Sequence, residues 1–444
     1  MSLQTIYCPI GVPTFHLESA QDQFEKSIAL LKRLSPDVVC PEKMLLSIPD
    51  LEAFLADKNP DLIVLQNITF ANAAYASAIV HRFDCPVILW TLREPVIDGG
   101  RLRLNSLTGA YSAANTMRQM GRRFAYVFGA PEDAIVEKKI GAAIRAAKVK
   151  KDLQSLKLTQ IGHTPQGFGF GRASDLDLLR AFGVTLESIE ARELIGKAKS
   201  FTDEECAPYL DEARAHMGSL ANTPEKNVLD FARLYKAYKD YVTENHIGAI
   251  SSRCWPDFFT DFGTPVCAVL SVLNDLGVYA SCETDTYGAL SMYIGGSLTG
   301  NPCFFGDPVS LNEVENTVTF WHCGMASCAL ARKDTGATVG VHPNRKIGPA
   351  MDFGCEANES ATIFRVGREA DGSFRFLISS GKVLDKPKQF IGTSLVVQLE
   401  DSAEDFVYHS VQDGWEPHYV VTYGDCAEEL AMLGEMLGIE VKRY

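Results

Sequence analysis

The chain has 444 residues, 46% hydrophobic and 22% charged, with a formal net charge of −14. That length exceeds one ordinary domain, and the balance is that of a globular protein able to bury a large core. The acidic excess argues against a nucleic-acid partner, which needs a basic footprint, and no apolar run approaches the roughly 18–20 residues of a membrane span.

The opening residues run directly into a strand pattern with no signal-peptide signature, so the expected location is the cytoplasm. Residues 1–156 then alternate strand and helix signals as a doubly wound α/β domain does. Strands are predicted at 5–10, 37–40, 61–66, 86–90 and 123–129, with helices at 19–34 and 71–82 among them. Continuous apolar runs such as L-I-V-L suit a parallel sheet covered on both faces. A second Rossmann-like α/β domain is predicted over 157–304, with helices at 177–182 and 226–245 and later strands at 247–251 and 278–282. From 305 to 444 helical periodicity fades into short β-rich pieces at 317–321, 361–366, 374–379 and 395–399, with D-G at 371–372 as a hairpin turn. This third part reads as a barrel-like antiparallel domain closed by a helix at 426–437. The 12 cysteines form no C-x-x-C pair and read as reduced, mostly buried thiols.

Chemistry-bearing residues gather at predicted strand ends. In C-E-T-D-T-Y-G, at 282–288, Glu283 follows a strand, the edge where open α/β sheets bind ligands. The structural alternative is a helix N-cap, a role that Thr284 or Asp285 fills better. Asp307 in F-F-G-D-P follows an aromatic strand, although taken alone an Asp-Pro turn explains it better. His418 in G-W-E-P-H-Y is a histidine that could be merely structural. Two carboxylates and one imidazole with open positions suit Mn²⁺, Mg²⁺ or Co²⁺.

The order of E-T-D after a strand, G-D-P, W-H-C-G, then P-H before Y-G-D resembles the L-fucose isomerase and L-arabinose isomerase superfamily. The spacing of 24 residues from Glu283 to Asp307 is similar to that of the fucose branch. The resemblance implies a metal-dependent aldose–ketose isomerase working through a cis-enediol on a pentose, deoxyhexose or modified hexose. It assigns Glu283, Asp307 and His418 to Mn²⁺ and the two carboxylates to proton transfer. It gives His322 a metal or substrate role, and implies a homo-oligomer, trimeric or hexameric. The segment R-L-N-S-L-T-G-A-Y at 103–111 resembles a loop that completes a neighbouring subunit's pocket, which makes Asn105 a candidate contact; a helix-capping loop is the alternative.

S-S-R-C-W-P at 251–256 follows another predicted strand, so Arg253 and Trp255 are candidate sugar contacts: an aromatic face suits C–H bonds, and an arginine suits hydroxyls or an anion. G-F-G-F-G at 167–171 lacks the G-x-G-x-x-G spacing and reads as an interdomain turn. H-P-N-R at 342–345 reads as a polar loop. Two rival functions remain open, a metal-dependent lyase or epimerase on a sugar acid and a non-catalytic sugar-binding protein.

Overall fold

The computed structural model describes residues 3–444. The chain forms two compact units, the first comprising 1–152 with 428–439 and the second 153–427 with 440–444.

In the first unit, β1 (Thr5–Ile10), β2 (Leu62–Asn67), β3 (Val87–Thr91) and β4 (Ala125–Phe128) form a parallel sheet in that order. Every residue of β1, β2 and β3 is buried, which is why these strands are continuous apolar runs rather than alternating ones. The strand predicted at 37–40 is reduced to a bridge from Val39 to Ile6, followed by a second from Leu45 to Ile10. Almost all of the final helix, Ala427–Leu437, belongs to this unit rather than to the β-rich part. It is tied there by Glu429, which accepts from Arg145 Nε at 2.9 Å, and by the Met436 carbonyl, which accepts from Lys150.

The second unit begins with β5 (Lys157–Ile161), β6 (Thr185–Ile189), β7 (Ala249–Ser252) and β8 (Tyr279–Cys282), a parallel sheet in the order β6-β5-β7-β8. It continues with β9 (Cys303–Asn312), β10 (Thr317–His322) and the small β11 (Val339–Gly340) and β12 (Ala350–Met351) pair. Next come β13 (Asn358–Arg368), β14 (Phe374–Val383), β15 (Thr393–Leu399), β16 (Tyr419–Tyr423) and β17 (Glu440–Arg443). Six of these, in the order β13-β16-β9-β10-β15-β14 with β14 returning to β13, close an antiparallel barrel; β17 adds to β14 in parallel.

The helix Thr286–Thr299 joins sheet to barrel. It packs on β7 and β8 from one side and on β9, β13 and β16 from the other, so it is buried nearly all round. Apolar residues of the sheet, its helices and the barrel form one continuous cluster, running from Ile161 and Leu234 through Met292 to Phe320 and Val420. The two units divide at 152/153, and the shared core of the second runs across 304/305. Among the described residues no helix is long and apolar enough to cross a membrane.

Candidate active site

The second unit builds its site at a sharp turn. After β8 the chain takes two consecutive left-handed residues, Glu283 (φ 58) and Thr284 (φ 55), and then enters the helix. Non-glycine residues in this region store strain that the surroundings must hold. Here Thr284 N–H donates to the Ser252 carbonyl (3.1 Å), Asp285 N–H to the Cys282 carbonyl (3.1 Å) and Ser281 Oγ to the Asp285 carbonyl (2.7 Å). Asp285 caps the helix by accepting from Gly288 N–H at 2.9 Å. The capping duty thus falls on Asp285, and the Glu283 side chain is left to face the cavity.

The barrel supplies the rest through strand register. Tyr419 pairs with Gly306 and Trp321 with Asp307. One step further in the antiparallel register puts His418 opposite Asp307, and His322 ends β10 beside them. Asp307 lies within β9 rather than at its end, at the point where that strand parts from β16.

Glu283 Oε2 is 3.1 Å from His418 Nε2 and 3.8 Å from His322 Nε2, and Asp307 Oδ1 is 3.5 Å from His418 Nε2. Glu283, His322 and His418 each offer a ligand atom within 4.8 Å of the others. His418 Nδ1 meets Asp285 Oδ2 at 2.9 Å, and Asp285 is gripped by both guanidinium nitrogens of Arg365, at 2.6 and 3.0 Å. Asp285 and Arg365 are wholly buried, so the pair forms a rigid anchor that fixes the imidazole and directs Nε2 at Glu283. His322 is oriented in turn by Cys323, whose Sγ is 3.4 Å from its Nδ1. The rings of Phe305, Phe170 and Phe168 wall His418, with centroids at 4.7, 5.5 and 6.4 Å.

This setting separates the two carboxyls. Burial opposes the charge on Glu283, yet hydrogen bonds and charge from His322 and His418 outweigh it and hold the carboxyl at about 2. Burial dominates at Asp307 and raises its carboxyl, against the pull of His418 and His322. Burial opposes the charge on His418, but Asp285 and Glu283 raise it to about 9.

Glu283, Asp307 and His322, with His418 behind them, open on a cavity of about 250 Å³ lined by Phe168, Trp255, Glu283, Asp307, Trp321, His322, Cys323, His342, Asn344 and Arg345. Of the residues singled out in the sequence, Glu283, Asp307, His322, His418 and Trp255 are brought together. Arg253 is not part of the lining: its Nε lies 2.6 Å from Asp257, an i,i+4 partner readable in the sequence. Asn105 belongs to the first unit, where it precedes the helix Ser106–Gln119 with φ 51 and accepts from Thr108 Oγ1 at 2.7 Å. The G-F-G-F-G segment is no interdomain turn. It forms a 3₁₀ turn inside the second unit, and a Cβ on Gly171 would come within 2.8 Å of Asp285 Cα, so glycine lets this turn seat against the Glu283 elbow. The sequence reading missed Arg365 as an anchor and the 342–345 loop as cavity wall. Their partners are separated from them by 80 residues or by a different strand pair, which no local pattern shows.

No family model matches the chain. Curated proteins do. The sulfoquinovose isomerase of Clostridium sp. (strain MSTE9) is 65% identical, with 99% of each chain covered. Those of Priestia megaterium and Alkalicoccus urumqiensis are 40% and 36% identical over 99% of this chain and 98% and 99% of theirs. Among solved structures, a solute-binding protein of an ABC transporter from Agrobacterium vitis covers 67% of this chain and 90% of its own, at 13% identity and a TM-score of 0.17. With carboxyls of opposed proton affinity facing one cavity, and relatives of this identity, the protein is an enzyme, an aldose–ketose sugar isomerase acting on a modified sugar. More particularly, the chain belongs to the sulfoquinovose isomerase family.

Proposed function

We propose that this enzyme interconverts sulfoquinovose, an aldohexose with a sulfonate on C6, and the corresponding 2-ketose, at the site of Glu283, Asp307 and His418. The observation that carries the reading is His418, clamped by Asp285 on one nitrogen and presenting the other to Glu283 at 3.1 Å and Asp307 at 3.5 Å.

The donor set fits a divalent cation. Carboxylate and imidazole suit Mn²⁺ and its neighbours, and a histidine whose second nitrogen meets a buried carboxylate is the arrangement metal ligands usually show. Glu283, Asp307 and His418 would hold Mn²⁺, or Mg²⁺ or Co²⁺ in its place, with His322 beside them. When bound, such a cation polarises the sugar carbonyl and steadies the negative charge of the enediolate.

The chain's own groups do the proton work. Isomerisation moves one proton from C2 to C1 and another from O2 to O1, through a cis-enediol. Asp307, with its carboxyl raised by burial, is suited to take a proton and return it near neutral pH. Glu283, anionic before the reaction, takes the O2 proton and delivers it to O1. The phenylalanine wall around His418 keeps bulk water from quenching the enediol. The fucose and arabinose isomerases, which this sequence resembles, suggest the same chemistry.

In the first unit, Ile97 (94% exposed) and Tyr111 (73% exposed) flank Asn105 in sequence. The resemblance to the fucose and arabinose isomerases suggests a homo-oligomer in which a second copy covers this segment; light scattering gives the copy number. The reaction itself is tested by ¹H NMR of sulfoquinovose with the enzyme and Mn²⁺ in D₂O. Ketose signals are expected, and an unchanged sugar refutes the reading.

A further inference from the structure

An anionic sugar entering this cavity meets two carboxylates, Glu283 and Asp307, in a chain of net charge −14. Binding therefore needs a compensating cation at the far end of the substrate. Two arginines stand near enough in the fold to be considered. Arg253 does not line the cavity, and its charge is paired: its Nε lies 2.6 Å from Asp257 and donates to the Trp255 carbonyl at 3.2 Å. Arg345 lines the cavity, is exposed, and makes no ion pair among the described residues. Its guanidinium lies 5.6 Å from the centroid of the Trp255 ring and 5.9 Å from that of Phe259. A guanidinium positioned by aromatic faces keeps its N–H edges available.

The loop that carries Arg345 is preformed. His342 N–H donates to the Ile347 carbonyl at 2.9 Å, and Lys346 N–H to the His342 carbonyl at 2.8 Å. The backbone N–H groups of Asn344 and Arg345 both donate to His342 Nδ1 at 3.3 Å. The imidazole thus holds the loop from inside, with its edge on Phe259. Asn344 lines the cavity next to Arg345, and its side chain makes no hydrogen bond among the described residues.

We propose that His342-Pro343-Asn344-Arg345 is the anion-recognition loop of this enzyme, with Arg345 binding the substrate's sulfonate and Asn344 donating beside it. The assignment rests on the reading that the substrate is a sulfonated aldose. A planar guanidinium pairs two of the three sulfonate oxygens side by side. The cavity lining holds one arginine and no lysine. One fixed cation matches a sulfonate, which carries a single charge, better than a phosphate ester, which carries nearly two near neutral pH. The loop therefore selects sulfosugars over both neutral sugars and sugar phosphates.

The test compares wild type, Arg345→Met and Arg345→Lys on sulfoquinovose and on quinovose, the same sugar without the sulfonate. Arg345→Met is expected to lower kcat/KM for sulfoquinovose on the order of 10- to 100-fold, the range of a charge-assisted hydrogen bond. The loss should appear in KM with kcat little changed, should exceed any loss on quinovose, and should be partly restored by lysine. Equal loss on both sugars, or an unchanged KM for sulfoquinovose, overturns the assignment. If wild type turns over neither sugar, the proposed reaction fails, and calorimetry with sulfoquinovose judges the loop separately. Binding that Arg345→Met abolishes supports the loop's role; binding absent from wild type, or unchanged by the substitution, overturns it.

Discussion

Each parallel sheet of this protein is followed by a glutamate just past a strand, and the two are used in opposite ways. Glu94, after β3, accepts backbone N–H groups from Arg103 (3.0 Å), Leu104 (3.2 and 3.3 Å) and Asn105. Its oxygens are committed to holding a loop. Glu283, after β8, has no backbone donor among the described residues; its partners are the imidazoles of His322 and His418. A strand-end position is thus not enough to make a carboxylate chemical. What separates the two is whether the oxygens are taken up by the backbone or left to titratable groups lining a cavity.

The contrast breaks most visibly under parallel substitution. Glu283→Gln is expected to lower kcat on the order of 10²–10⁴-fold, the usual contribution of a proton-transferring group, and to weaken Mn²⁺ binding. Glu94→Gln is expected to lower thermal stability by about 1–3 kcal/mol through its weakened backbone contacts, with Mn²⁺ affinity unchanged. Steady-state kinetics, calorimetric Mn²⁺ titration and thermal melting on both variants check this; the reverse pattern undoes the comparison.

The anchor behind Glu283 is next. Asp285→Asn leaves the wholly buried Arg365 without its carboxylate, which should cost about 3–5 kcal/mol. It should also weaken Mn²⁺ binding roughly 10- to 100-fold by releasing His418. Denaturant unfolding and Mn²⁺ titration read the two effects separately.

Much of this arrangement was legible before the fold, and the residues that stayed hidden share one cause. β1, β2 and β3 were readable because strands buried on both faces leave unbroken apolar runs. Glu283 was readable because β8 ends just before it and Asp285 is the better cap. Asp307 was found for a partly mistaken reason: Pro308 suggested a strand end, but β9 continues through it, and only its pairing with β16 stops there. Arg253 drew attention through its strand-end position, although Asp257 four residues on was the signal that its charge is paired. Arg365, Phe168 and Arg345 stayed hidden because each meets the site only through packing between distant segments.

pH separates the charged cluster from the rest of the fold. In metal-free protein burial opposes the charge on His418, but Asp285 and Glu283 outweigh it and push the imidazole up to about 9. A histidine raised on folding contributes stability fully below its unfolded value near 6.5 and loses it as pH rises through the folded value. Melting temperature in a chelator should therefore fall between about pH 6.5 and 9, with an effect of at most about 3 kcal/mol. His322, also raised, adds to the same slope. His418→Gln should flatten the profile, and an unaltered slope in that variant removes His418 as its source. A smaller effect is expected from Gly171→Ala, whose Cβ would press on Asp285 Cα at 2.8 Å. Overpacking of this kind costs roughly 1–3 kcal/mol, and kcat should fall as the Glu283 elbow shifts. An alanine variant with wild-type kcat would free the G-F-G-F-G turn from any part in positioning the site.

The most direct measurement is anomalous diffraction at the manganese edge from crystals soaked in Mn²⁺. The account predicts one strong peak within coordination distance of Glu283, Asp307 and His418, lost in crystals of Glu283→Gln. A peak at other residues, or manganese bound with those three side chains left apart from it, would contradict it.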